Sequence, residues 1–175
     1  KLAKHVDSLG FEPSFKHFSS EKGGAGRISS QAGELIAMMG TSMDDETFTK
    51  LMDSMRDHMN AVKKANGPFK TKADWKKYQS GMIIQESWLD AAQNNRKASL
   101  QMIEKRYPGA TVSIVAWDTE EELEAMGLKD YKKNKGFSTD MYVKINHNGQ
   151  DILVEISLKK DKMVMFLNSG AGVFV

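Results

Sequence analysis

The chain has no cysteine among its 175 residues. That excludes disulfides, thiolate zinc sites and a cysteine nucleophile, and it fits a reducing compartment. No apolar run is long enough to span a bilayer, so no membrane association is expected. The opening KLAKHVDSLGF is charged and mixed, unlike a signal peptide. Lys rather than Met at position 1 reads as a processed chain, a trimmed chain or a fragment. A strong charge of one sign is also missing: the formal net charge is +2, which neither demands nor excludes a nucleic-acid partner. There is no internal repeat and no coiled-coil heptad. GGAGR at 23–27 could be a phosphate nest, but it lacks the Gly-Lys-Ser/Thr of a P-loop. His5, His17, His58 and His147 are scattered, so neither HNH chemistry nor a Ser-His-Asp arrangement can be read.

The remaining composition is that of a globular protein, 40% hydrophobic and 27% charged. Twelve methionines read as flexible core filler. The charges are grouped. Acids collect at Asp44, Asp45, Glu46 and at Glu120, Glu121, Glu122, Glu124. Bases collect at 63–77 with Phe69, Trp75 and Tyr78 interleaved, at Lys129, Lys132, Lys133, Lys135, and at Lys159, Lys160, Lys162.

The first half reads as helical. SSQAGELIAMM predicts a short helix from Ser29 to Met39, ended by Gly40. Thr41 or Ser42 is expected to cap a second helix, in which Phe48, Leu51, Met52, Met55, Met59 and Val62 form one apolar face. Asn66-Gly67-Pro68 ends it, and Thr71 or Lys72 starts a further helical stretch. A long helix is predicted from about Ser80 to Arg106, with Trp88, Leu89, Ala92, Leu100 and Ile103 on its buried side and Pro108-Gly109 as its stop. From Thr111 the texture changes. TVSIVAW predicts a strand, Thr119–Met126 a short acidic helix, and 140–145 and 152–159 two strands joined by Asn146-His147-Asn148-Gly149-Gln150. Residues 163–167 are expected to form a further strand or begin a helix. Composition thus suggests a helical region over 1–79 and an α/β (α+β) core over 80–175.

DILVEISLKK carries the chemistry. Alternation sends Ile152, Val154, Ile156 and Leu158 to one face and Leu153, Glu155, Ser157 and Lys159 to the other. A carboxylate, a hydroxyl and an ammonium then line one face, and the hairpin brings Asp140 within reach. Phosphodiester hydrolysis uses such a set: carboxylates bind Mg²⁺, and a lysine can orient water and stabilise developing negative charge.

Thr139-Asp140 and Ser157-Leu158-Lys159, following a long helix and one strand, resemble the PD-(D/E)XK nuclease superfamily in its S-x-K variant. KKDKMVMFLNSGAG is similar to the tail that follows S-L-K in phage-encoded endonucleases. The resemblance covers roughly 80–170. It implies a restriction-endonuclease-like core of a helix then three strands in a mixed sheet, and metal-dependent DNA cleavage leaving 5′-phosphate and 3′-hydroxyl ends. The implied cofactor is Mg²⁺, with Mn²⁺ as substitute. Asp140, Glu155 and Glu86 are the expected carboxylate ligands, with the Leu158 carbonyl alongside. Lys159 positions water, and Ser157 stands where the second acid usually does. Thr139 stands where the family has proline. Glu86, read as partly buried beside Met82 and Leu89, and Glu34 are alternative sources of that acid. Lys132, Lys133, Lys135 and Lys160 are the expected DNA contacts. A homodimer or a protein partner would use the N-terminal helices, and the place of action would be the cytoplasm, or a phage's host or virion. The family core continues with another helix and strand beyond the site, so a further segment or a partner chain is expected to complete it. Two rival readings are an inactive nuclease-fold module that binds DNA or protein, and a phage structural or assembly protein.

Overall fold

The computed structural model describes residues 25–67, 70–74, 86–117, 120–125, 127, 139–158 and 165–166. The chain forms two compact units, Lys1–Gly33 with Asp44–Asp90, and Glu34–Met43 with Ala91–Val175. This division runs through two helices, Ala25–Thr41 and Glu86–Arg106. The elements are α1 (Ala25–Thr41), α2 (Asp45–Asn66), α3 (Glu86–Arg106), β1 (Thr111–Trp117), α4 (Glu120–Ala125), β2 (Met141–His147), β3 (Gln150–Ser157) and β4 (Met165–Phe166). The class is α+β. No helix among the described residues is long and apolar enough to cross a membrane.

In the first unit, α2 is capped by Asp44 and not by Thr41 or Ser42. The Asp44 carboxylate accepts from Thr47 N–H at 2.7 Å and Thr47 Oγ1 at 2.9 Å. Thr41 and Ser42 are engaged in closing α1 instead, donating to Ala37 O at 2.8 Å and Met39 O at 2.9 Å. Asp45 and Glu46 in the first turn of α2, and Lys63 and Lys64 in its last, complement the helix dipole. Phe48, Leu51, Met52, Met55 and Met59 are buried as their spacing predicts, and Val62 is half-buried. Each fully buried side chain of this size contributes roughly 1.5–3 kcal/mol. Gly67 leaves the helix in extended conformation, which a residue preceding proline requires. Gly33 on α1 has a steric role: a Cβ there would lie 3.1 Å from both Cε3 and the carbonyl O of Trp88.

In the second unit, the five consecutive residues Leu35, Ile36, Ala37, Met38 and Met39 of α1 are all buried, so this stretch of the helix has no solvated side. The helix starts at Ala25, before the expected Ser29, and runs through Gly40 to Thr41. The buried Arg96 on α3 supplies the cation that the last turn of α1 lacks. Its Nε donates to Gly40 O at 2.6 Å and its Nη2 to Met43 O at 2.9 Å. Leu89, Ala92 and Ile103 of α3 are buried, whereas Trp88 and Leu100 are half-buried. The helix stops at Pro108-Gly109, where Gly109 takes φ +73°.

The sheet order is β1-β2-β3-β4, and every described pairing is antiparallel. The expected mixed sheet is corrected here. Parallel neighbours need a long crossover, but β2 and β3 are joined by a two-residue turn and β4 follows β3 after a short segment. Asn148 (φ 53°) and Gly149 (φ 79°) form that turn, the primed type that matches strand twist. The strands therefore extend to His147 and Gln150, well into the five residues expected as loop.

Met141, Val143 and Ile145 of β2, with Ile152, Val154 and Ile156 of β3, bury one face. The other face is partly covered too. Leu123 of α4 packs with Tyr142 and Leu153 in a second buried cluster, and Ser157, further along the same face, is buried as well. Towards the turn this face carries the Lys144–Asp151 ion pair at 2.7 Å, with Asn146 donating to Asp151 at 3.0 Å.

Candidate active site

The site lies at the end of the β2–β3 hairpin away from its turn. Met141 pairs with Ile156, so one further step sets Asp140 across from Ser157. The Asp140 N–H continues the ladder to Ile156 O at 3.0 Å. Here the side chain takes over from the backbone. Asp140 Oδ2 accepts from Leu158 N–H at 2.7 Å and from Ser157 Oγ at 2.9 Å. Ser157 is fully buried, so its hydroxyl requires such a partner. Asp140 is half-buried, and among the described residues its Oδ1 takes no hydrogen bond.

Glu155 sits opposite Tyr142 in the same hairpin and is half-buried. Its Oε2 accepts from Thr139 Oγ1 at 2.9 Å, and it has at least one further interaction. Asp140, Glu155, Ser157 and Leu158 are thus gathered at one sheet end, each carboxylate fixed by a buried hydroxyl. Carboxylate oxygens such as those of Asp140 and Glu155 are the donor type that a hard divalent cation takes. Among the described residues no three His, Asp or Glu side chains form a group that could hold a metal ion.

Glu86 is placed differently. It lies in the first turn of α3, in the first unit, and is exposed rather than partly buried. Leu89 takes the inward position, while Lys63 of α2 holds the Glu86 carboxylate at the surface at 2.7 Å. Glu34 is half-buried in α1 and has a partner. Lys159, Lys160, Lys132, Lys133 and Lys135 lie outside the described residues. Of the 63–77 basic group, Lys64, Lys70 and Lys72 are exposed, and Phe69, Trp75, Lys76, Lys77 and Tyr78 lie outside the described residues. The described part of GGAGR is the start of α1. His147 ends β2, with its ring edge-on to Tyr107 at 5.7 Å and its Nε2 3.2 Å from Asn148 Nδ2.

Thr139 is the residue that motif reading missed. The signal was present: a hydroxyl residue directly before the aspartate that leads into the strand paired with the one carrying Glu155. Comparison with known proteins finds no matching family model, no matching curated protein and no matching solved structure.

Proposed function

We propose that this chain is a Mg²⁺-dependent DNA endonuclease of the PD-(D/E)XK type. The observation that carries the reading is the junction at Asp140. A strand-start aspartate meets the S-x-K strand at Ser157 and Leu158 through Oδ2, and among the described residues its Oδ1 takes no hydrogen bond. Helix α3 followed by the antiparallel β1, β2 and β3 also agrees with the helix–strand–strand–strand order that the resemblance implies. Asp140 and Glu155 would hold the metal, with the Leu158 carbonyl as a third donor. A bound divalent cation would neutralise phosphate charge and acidify a bound water.

The chain's own residues divide the remaining work. Ser157 fixes the Asp140 carboxylate. Lys159, two residues further on, orients the attacking water and balances charge developing on the phosphate. Water adds to phosphorus, the bond to the 3′-oxygen breaks, and the products carry 5′-phosphate and 3′-hydroxyl ends. Lys132, Lys133, Lys135 and Lys160 serve as backbone phosphate contacts.

One observation favours a second reading, a nuclease-like module that binds DNA without cutting it. Two hydrogen bonds to Asp140 are also what a purely structural strand-end aspartate makes, and Ser157 replaces an acid. Plasmid cleavage with Mg²⁺ or Mn²⁺ separates the two, with EDTA, Asp140→Ala and Lys159→Ala as controls. Metal-dependent cutting lost in both variants supports the nuclease. DNA binding without cutting under any metal supports the module, and neither binding nor cutting refutes both.

A further inference from the structure

The two carboxylates at the open end of the hairpin are held by hydroxyls in a reciprocal pattern. Ser157, two residues after Glu155, donates to Asp140, and Thr139, one residue before Asp140, donates to Glu155, both at 2.9 Å. The two hydroxyl residues are 0% and 6% exposed, whereas both carboxylate residues are half-buried. Water has little access to the donors, so these bonds last and restrict the side-chain torsions of both acids. A glutamate has three such torsions, and ordering them beforehand removes an entropic cost of gripping a cation. Glu86 lacks this preparation. Its carboxylate is exposed, and the partner that holds it is the surface ammonium of Lys63 at 2.7 Å rather than a buried hydroxyl.

We propose, building on the nuclease reading, that Thr139 is the positioning residue that makes Glu155, and not Glu86, the second carboxylate of the metal site. Thr139 acts only through Glu155. The hydroxyl at 139, just before β2, orients Glu155 as Ser157 at the end of β3 orients Asp140, so the hairpin end itself preorganises the site.

The test is titration of the full chain with Mn²⁺ by calorimetry, alongside thermal melting and DNA cleavage. Thr139→Val keeps the shape and removes the hydroxyl, and Thr139→Ser keeps the hydroxyl; Thr139→Ala substitutes if the valine variant fails to fold. Loss of an oriented supporting hydrogen bond should weaken Mn²⁺ binding about tenfold or more, and Thr139→Ser should restore it. Glu155→Gln should lose binding to a similar or greater extent, and adding Thr139→Val to it should change little, because the two act as one unit. Unaltered Mn²⁺ affinity in a folded Thr139→Val chain would overturn the proposal. Additive losses in the double variant would do the same, as would Glu86→Gln abolishing binding while Glu155→Gln does not. Mn²⁺ uptake as expected without any DNA cleavage upholds Thr139 and overturns the nuclease reading alone. No uptake by the unaltered chain overturns both.

Discussion

Replacing Asp140 with asparagine and with alanine separates its structural from its chemical role. In Asp140→Ala, the fully buried Ser157 hydroxyl and the Leu158 N–H lose their acceptor together. A buried donor left unsatisfied costs about 1–3 kcal/mol, so the pair, sharing one acceptor, should cost about 2–4 kcal/mol. Asp140→Asn keeps a carbonyl oxygen of the same shape and loses the charge assistance, which is about half the strength of each bond. Its expected cost is therefore about 1 kcal/mol. For a chain of this size these figures correspond to melting-point drops of roughly 5–15 °C for alanine and about 2–4 °C for asparagine. Urea denaturation followed by circular dichroism measures the difference, and calorimetric Mn²⁺ titration of the same samples measures the site. Both variants should lose Mn²⁺ binding, because the amide brings no charge to the cation. Equal destabilisation by the two substitutions, or an alanine cost below about 1 kcal/mol, would refute the hydrogen-bond account. A well-folded asparagine variant that binds Mn²⁺ like the unaltered chain would refute Asp140 as a ligand.

Arg96→Met keeps an apolar stem and removes the donors that close α1 at Gly40 and Met43. Gly40 O keeps its bond from Met43 N–H, so a loss of about 2–4 kcal/mol is expected in urea denaturation, with Arg96→Lys intermediate. Gly149→Val places a β-branched residue at φ 79° and should cost at least about 1–2 kcal/mol, read as a lower urea midpoint. The Lys144 ammonium first, and the Asn146 amide second, hold the Asp151 carboxyl below its ordinary range. A depressed carboxyl stabilises the fold above its unfolded value, about pH 3.9, and loses that contribution as pH falls through the folded value. The stability gap between the unaltered chain and Lys144→Met should therefore be full at neutral pH and shrink in denaturation curves taken below about pH 4; a gap independent of pH would contradict the assignment.

Much of this protein was set locally and is legible in its sequence. The 3.6-residue spacing from Phe48 to Met59 defined the buried face of α2, and β-branched alternation defined β1 at Thr111–Trp117. Asn148-Gly149 fixed the hairpin turn, because only such residues accept two successive positive φ values at low cost. That turn also fixed the register, and with it the meeting of Asp140 and Ser157, so half of the candidate site follows from chain-local rules. Tertiary structure decided what depends on partners distant in sequence. Alternation made Leu153, Glu155 and Ser157 an outward face, but whether α4 covers that face is a packing outcome that strand periodicity does not encode. Glu86 could be read as inward until Lys63, from another helix, held it at the surface. The N-cap passed to Asp44 because Thr41 and Ser42 were taken up by the end of the preceding helix. Thr139 met its acceptor only when the strands paired, since that acceptor, Glu155, lies sixteen residues away.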